Sequence, residues 1–404
     1  MLEKYADVIV KVGLNLRAGQ NLTIRAIIED APLVRKVTES AYKAGAHFVD
    51  VLWTDEQLTR IQMQHASSES LEHVPAWMLP RFEEYLKRGD ADLALTSFDP
   101  DLMKDMDPER VAKYRNARLK VFEQLSQYEN FANWCVAATA SPAWSKKVFP
   151  DLSVTDAQSA LWNAIFKVCR ADQPDPVQAW KMHTQALNKY KDYLNSKKYS
   201  ALHYTAPGTD LTVGLPESQI WQGTEATFEN GIVSVPNIPT EEVFTLPHRE
   251  KVNGTVKSTR LLSVRGTLID EFRITFKDGR AVDFSAQKGE DDLRKLIETD
   301  ENACRLGEVA LVPNSSPISQ SGLLFYNTLF DENASCHFAL GRAYRDSMKG
   351  GVNMTDEKFA SHGGNTSMIH IDFMIGSEKL DVDGITANGI PEPLMRNGEW
   401  VMQV

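Results

Sequence analysis

Apolar and polar positions along the first hundred residues alternate between two periods. Residues 1–16 carry apolar side chains at helical spacing, and 21–28 form a short, largely apolar run suited to a strand. A second helical stretch covers 32–44, followed by strand-like runs at 47–53 and 91–96. Strand and helix in turn mark βαβ units, so an open α/β sheet is expected here. Residues 155–197 read as two helices, 156–170 and 177–195, broken at Gln173-Pro174-Asp175-Pro176. Thr155 is the expected N-cap, with Asp156 in the first turn, where a negative charge is favoured.

Past residue 198 the period shortens. Strands are expected at 200–204, 210–214, 260–268, 272–276, 281–285 and 307–312, and a helix at 291–299. Lys277-Asp278-Gly279-Arg280 supplies a hairpin turn between two of these strands. The fold class expected is thus α/β and α+β. An open α/β domain with a helical extension covers 1–197, and a mixed, strand-rich domain covers 198–404. The chain's 404 residues fit two or three domains at roughly 100–200 residues each.

Composition removes several functions. A net charge of −11 argues against a nucleic-acid partner or an anionic membrane, both of which need a basic surface. No apolar run approaches the roughly 20 residues that span a bilayer. The opening Met1-Leu2-Glu3-Lys4-Tyr5-Ala6-Asp7 lacks the pattern of a signal peptide, so a cytoplasmic location is expected. Cys135, Cys169, Cys304 and Cys336 show no metal-binding spacing and read as reduced, buried thiols. No Gly-x-Gly-x-x-Gly follows the first strand and no Walker loop occurs, which leaves a nucleotide role without support.

Five histidines, His47, His65, His73, His183 and His203, sit in ordinary contexts. The later chemistry is concentrated in four segments. In Asn237-Ile238-Pro239-Thr240-Glu241-Glu242-Val243-Phe244, neighbours on an extended chain point to opposite sides, so one acid of the pair faces any shared site. Glu308 interrupts the apolar run 306–312, either as an exposed strand end or as a buried carboxylate that needs a partner. In Asp331-Glu332-Asn333-Ala334-Ser335-Cys336-His337 and onward, a helix would place His337 and Tyr344 on one face, with Glu332 near its start. There the alternative for His337 is a buried residue bonded to a backbone carbonyl. His370 and Asp372 share one face of a strand, as a chelate or as a hydrogen-bonded pair. Together Glu242, Glu308, Glu332 and Asp372 balance two divalent ions, and with two imidazoles they suit zinc, cobalt or manganese. The loop Ser361-His362-Gly363-Gly364-Asn365-Thr366-Ser367 is either a wall of a substrate site or a tight turn.

These segments, in this order, resemble the aminopeptidase T family of metallopeptidases, which includes the AmpS and PepS enzymes. The matching text is Asn-x-Pro-Thr-Glu-Glu-Val-Phe-Thr (237–245), Gly-Glu-Val-Ala-Leu-Val (307–312), Asp-Glu-Asn-Ala-x-Cys-His-x-Ala-Leu-Gly-x-Ala-Tyr (331–344) and His-x-Asp-Phe-Met-Ile-Gly (370–376). The resemblance implies an exopeptidase with two metal ions, zinc or cobalt, acting on short peptides, and a two-domain homodimer. It implies that Glu242 and Glu308 are ligands, with Glu308 bridging the ions. Glu332 and His337 would serve one ion, and His370 and Asp372 the other. Tyr344 matches the family's active-site tyrosine. Glu241, by proximity, is a candidate to take the proton of the attacking water. Two competing readings are a single-iron oxygenase using His337, His370 and Asp372, and a non-catalytic peptide- or metal-binding module. The first leaves Glu242, Glu308 and Glu332 without a shared purpose.

Overall fold

The computed structural model describes all residues except 126, 127, 129, 265, 266 and 403, together with the side chains of all but 122 and 123 among the rest. It divides into two compact units, residues 1–183 with 225–239, and residues 184–224 with 240–404. The chain passes from one to the other within the helix Pro176–Lys197. We keep 197/198, the end of that helix, as the proposed domain boundary.

The first unit has the expected α/β architecture. Strands β1 (Leu22–Ile27), β2 (Val49–Thr54), β3 (Ala91–Thr96) and β4 (Trp134–Ala138) run parallel in the order β2-β1-β3-β4. β1 is central and buried along almost its whole length, as a parallel strand covered on both faces must be. The opening helix is shorter than the sequence suggests. Leu2–Val8 continues as a π-helical turn over Ile9–Gly13 and stops before Asn15, which has a left-handed φ of 46°. A Cβ on Gly13 would lie 2.6 Å from Cys135 Sγ, so the turn packs directly on β4. β4 itself and the helix Pro108–Leu125 were not anticipated. The N-cap expected at Thr155 is Ser153 instead. Its Oγ accepts from the Asp156 N–H at 3.2 Å, and the helix begins at Val154.

Glu56, the first residue of the helix Glu56–His65, is 7% exposed, and both its carboxylate oxygens accept from the Asp99 N–H at 3.2 Å. Burial, followed by the nearby negative charge of Asp99, Glu29 and Asp30, pushes its pKa up to about 7. A folded pKa above the unfolded value means the protonated carboxyl stabilises the fold, and this contribution is lost as pH rises toward and through 7. Glu56→Gln is therefore expected to stabilise the protein by about 2–3 kcal/mol more near pH 8 than near pH 5. Unfolding curves of both proteins at the two pH values check this. An equal difference at both would contradict it.

In the second unit the chain enters an antiparallel sheet through β5 (Ala201–Ala206) and β6 (Thr209–Gly214). It returns to the first unit for the short pair β7 (Ala226–Thr227) and β8 (Val233–Ser234), then stays in the second. The large sheet also holds β10 (Val252–Lys257), β11 (Leu262–Val264), β12 (Thr267–Lys277), β13 (Arg280–Lys288), β17 (Asp381–Ile385), β18 (Pro391–Arg396) and β19 (Glu399–Trp400). The hairpin expected around Lys277–Arg280 joins β12 to β13. Its Asp278 and Gly279 both have positive φ, and a Cβ at Gly279 would meet the Arg249 carbonyl oxygen at 1.9 Å. The single strand expected over 260–268 is two antiparallel strands, β11 and the start of β12; positions 265 and 266 lie outside the described residues.

A smaller antiparallel sheet, ordered β16-β15-β14-β9, contains β9 (Val243–Thr245), β14 (Leu306–Leu311), β15 (His337–Gly341) and β16 (His370–Met374). One core cluster joins the two sheets. Leu202, Tyr204, Leu211 and Val213 from the large sheet share it with Val243, Val309, Leu311, Phe338, Leu340 and Phe373 from the small one. Tyr204 meets Phe338 edge-on at 4.9 Å, and Phe272 meets Phe373 at 5.5 Å. Each such fully buried aromatic contributes roughly 1.5–3 kcal/mol of hydrophobic stabilisation. The core thus consumes one face of the small sheet and leaves the other for polar side chains.

Candidate metal centre

Strand pairing decides which residues reach that other face. Glu308 lies opposite Ala339, and Ala339 lies opposite Asp372. Ala310 stands between Phe244 and His337, while Gly341 faces His370. Alternation then puts Glu308, His337, His370 and Asp372 on one side, with Val309, Leu311, Phe338 and Leu340 on the core side. A bulge between Leu306 and Glu308 resets the count. Two residues apart, they would otherwise share a face, yet Leu306 belongs to the core and Glu308 to the polar side. Gly307 makes this possible, since a Cβ there would lie 2.3 Å from the Arg342 carbonyl oxygen.

The helix considered for 337–344 is therefore a strand followed by a turn. His337 opens β15, and Tyr344 lies just past its end, so the shared helical face does not exist. His370 and Asp372 are on one face of a strand, as expected.

The carboxylates and imidazoles converge in two groups. Ligand atoms of Glu242, Glu308 and His337 lie within 4.8 Å of one another, as do those of Glu308, His370 and Asp372. His337 Nε2 is 3.1 Å from Glu242 Oε2 and 3.4 Å from Glu308 Oε1. His370 Nε2 is 3.6 Å from Glu308 Oε2 and 3.3 Å from Asp372 Oδ1. Glu308 is common to both groups, with one carboxylate oxygen turned to each histidine. No group among the described residues contains both histidines with Asp372, the set a single-iron oxygenase would need.

Each imidazole is oriented from behind. His337 Nδ1 lies 3.1 Å from the Ser335 carbonyl oxygen, and His370 Nδ1 lies 2.6 Å from that of Arg342. With Nδ1–H donated to a carbonyl, Nε2 is left as the ligand atom. The carbonyl partner proposed for His337 as an alternative to metal binding thus accompanies the cluster.

The remaining sequence candidates take neighbouring places. Glu332, half-buried, begins the turn Glu332–Ala334 and lies outside both groups, with its Oε1 3.4 Å from Asn333 Nδ2. Glu241 is 3% exposed and also outside both groups; its N–H donates to Asn333 Oδ1 at 2.7 Å. The Tyr344 ring lies 4.6 Å from that of His370. Tyr344 is 41% exposed, open on one side.

Electrostatics bind these groups into one unit. Burial raises the pKa of Glu308, with Asp372 and Glu242 adding to the rise and the two histidines opposing it. Glu332 is raised well above the usual range, first by burial and then by Asp372 and Glu242. Burial works against a charged His337, but Glu242 and Glu308 overcome it and raise its pKa strongly. His370 behaves likewise, and Asp372 and Glu308 bring it up to about 9. The protein packed around the Tyr344 hydroxyl, then Glu308, Asp372 and Glu332, keep that phenol protonated.

The donor set fits divalent metal. Oε2 of Glu242 and Oδ1 of Asp372 are buried, and beyond the contact each makes with one imidazole, His337 Nε2 at 3.1 Å and His370 Nε2 at 3.3 Å, neither accepts a hydrogen bond. Such oxygens are costly to bury unless something else compensates them. A dication among carboxylates and imidazoles would do so.

Two buried asparagines that support the cluster were not singled out from the sequence. Asn333, fully buried, ties Glu241 to Glu332. Asn365, also fully buried, donates through Nδ2 to the carbonyls of Gly341 and Asn302, at 2.6 and 3.0 Å. Its backbone carbonyl accepts from the Ala343 N–H at 2.9 Å. It therefore braces both sides of Arg342, whose carbonyl orients His370, and the segment leading to Tyr344. At this position the 361–367 loop acts as a strut. Adjacency to Glu332 was the available signal for Asn333, whereas Asn365 had none stronger than its glycine-rich loop.

A family model described as thermophilic metalloprotease (M29) matches residues 1–400. Aminopeptidase 2 of Geobacillus stearothermophilus is 46% identical over 408 residues, covering 100% of this chain and 98% of the relative. Aminopeptidase T of Thermus thermophilus is 43% identical over 403 residues, covering 99% and 98%. The solved structure of wild-type AmpT from Thermus thermophilus superposes with a TM-score of 0.94 at 42% identity, covering 99% of each chain.

Proposed function

This chain belongs to the thermophilic metalloprotease family M29, and we propose that it is an aminopeptidase removing N-terminal residues from short peptides at a two-metal centre. The observation that carries this reading is the Glu308 carboxylate shared by two ligand groups. Glu242, Glu308 and His337 would hold one ion, with Glu332 beside them; Glu308, His370 and Asp372 would hold the other. Zinc, cobalt or manganese in such a pair supplies an acidified water and a polarised substrate carbonyl.

The chain's own groups complete the chemistry. Glu241, adjacent to Glu242 in the chain though outside both ligand groups, is the candidate to take the proton of the attacking water. Tyr344, its phenol held protonated, donates a hydrogen bond to the carbonyl oxygen as that oxygen gains charge. The carbonyls of Ser335 and Arg342 fix the histidine rings while this happens.

We place the enzyme in the cytoplasm as a homodimer. All four cysteines are free and buried, which suits a reducing compartment. Among the described residues no helix is long and apolar enough to cross a membrane. The dimer rests on the family resemblance.

Hydrolysis of amino-acid p-nitroanilides and short peptides, before and after chelation and metal restoration, tests the reading. Stepwise release from the N-terminus, lost on chelation and regained with about two ions per subunit, is expected. Full metal loading without cleavage would refute it.

A further inference from the structure

The register that gathers the ligands also decides which other side chains share their face. Phe244 follows Glu242 by two residues and pairs with Ala310, whose partner on its far side is His337. Elsewhere on this face the strands carry ligands, the small residues Ala310, Ala339 and Gly341, and Met374. Met374 is 3% exposed, whereas Phe244 is only half-buried. Val243, beside Phe244 in sequence, points the other way into the core.

Ring contacts tie Phe244 to the centre independently of the register. Its ring is 6.2 Å from that of Tyr344 in an edge-on arrangement, and Tyr344 is 4.6 Å from His370. An aromatic wall thus flanks a floor of alanine, glycine and charged groups. A peptide whose first carbonyl lies at the ions must place the side chain of its first residue close by. Beside Phe244 that side chain finds an apolar surface with part of its area still open to water, and covering it is favourable.

We propose that Phe244 is the wall against which the side chain of the substrate's first residue packs, so that large apolar first residues are favoured over alanine. This inference rests on the aminopeptidase reading and names the substrate class of that same site.

The test compares kcat/KM for leucyl, phenylalanyl and alanyl p-nitroanilides, using metal-loaded wild type, Phe244→Ala and Phe244→Leu. The preference for leucyl and phenylalanyl over alanyl is expected to fall about 10–100-fold in Phe244→Ala. Phe244→Leu, which keeps an apolar side chain, is expected to recover part of it. An unchanged preference in Phe244→Ala would overturn the inference. So would an equal loss on all three substrates with metal content intact, since that marks a purely structural role. A wild type inert on all three would overturn the aminopeptidase reading as well, whereas an active wild type with unaltered preference in the variant overturns this inference alone.

Discussion

Replacing Glu308 by alanine is expected to loosen both ions at once and to lower turnover by well over the roughly 10–100-fold that loss of an outer-shell partner costs. Its carboxylate is common to both ligand groups, one oxygen toward His337 and the other toward His370. Removing it leaves each group with one carboxylate and one imidazole. It also removes a negative charge that raises the pKa of both histidines. Metal content per subunit, measured alongside turnover, is the deciding readout. Glu308→Gln keeps the side-chain volume and controls for packing, and it is expected to show the same joint loss. Full metal content with full activity in either variant would end the bridging role.

Tyr344→Phe is expected to separate binding from chemistry. The phenyl ring remains against His370 and Phe244, so the proposed wall and the metal content are expected to be retained. Only the hydroxyl is lost, and removal of one donor to a developing oxyanion commonly costs about 100–1,000-fold in turnover. The prediction is a fall of that size in kcat, with little change in KM and unchanged metal content. Retained turnover would take Tyr344 out of the mechanism. A parallel fall in metal content would instead give the hydroxyl a part in holding the centre.

Much of the architecture was legible where the hydrophobic period was unambiguous. The alternation of β1, β2 and β3 with helices announced the α/β unit, and His370-x-Asp372 could be assigned to one strand face because that strand keeps a period of two. His337-Phe338-Ala339-Leu340-Gly341 misled because all five residues of that strand are buried. Where both faces of a strand are covered, polar and apolar no longer alternate, and a short run fits a helix equally well. The nearness of Glu308 to both histidines is a product of strand order, β16-β15-β14-β9, which no local pattern encodes. The backbone carbonyls of Ser335 and Arg342 were equally illegible, because any residue provides a carbonyl. The strut at Asn365 depends on Gly341, Asn302 and Ala343 meeting it in space, far from it in sequence.

The small sheet is printed on both sides of one page. Its oily text and its charged text run along the same strands, offset by a single letter, and the kink at Gly307 sets the reading frame. Adding or deleting one residue within β14 would exchange the two texts downstream of the change. Val309 or Leu311 would then turn toward the ligand cluster, while a carboxylate turned into the oil would have no counter-charge. Such a frameshift would abolish the fold and the chemistry together. Length changes in this family should therefore collect in the connecting loops and spare the four strands.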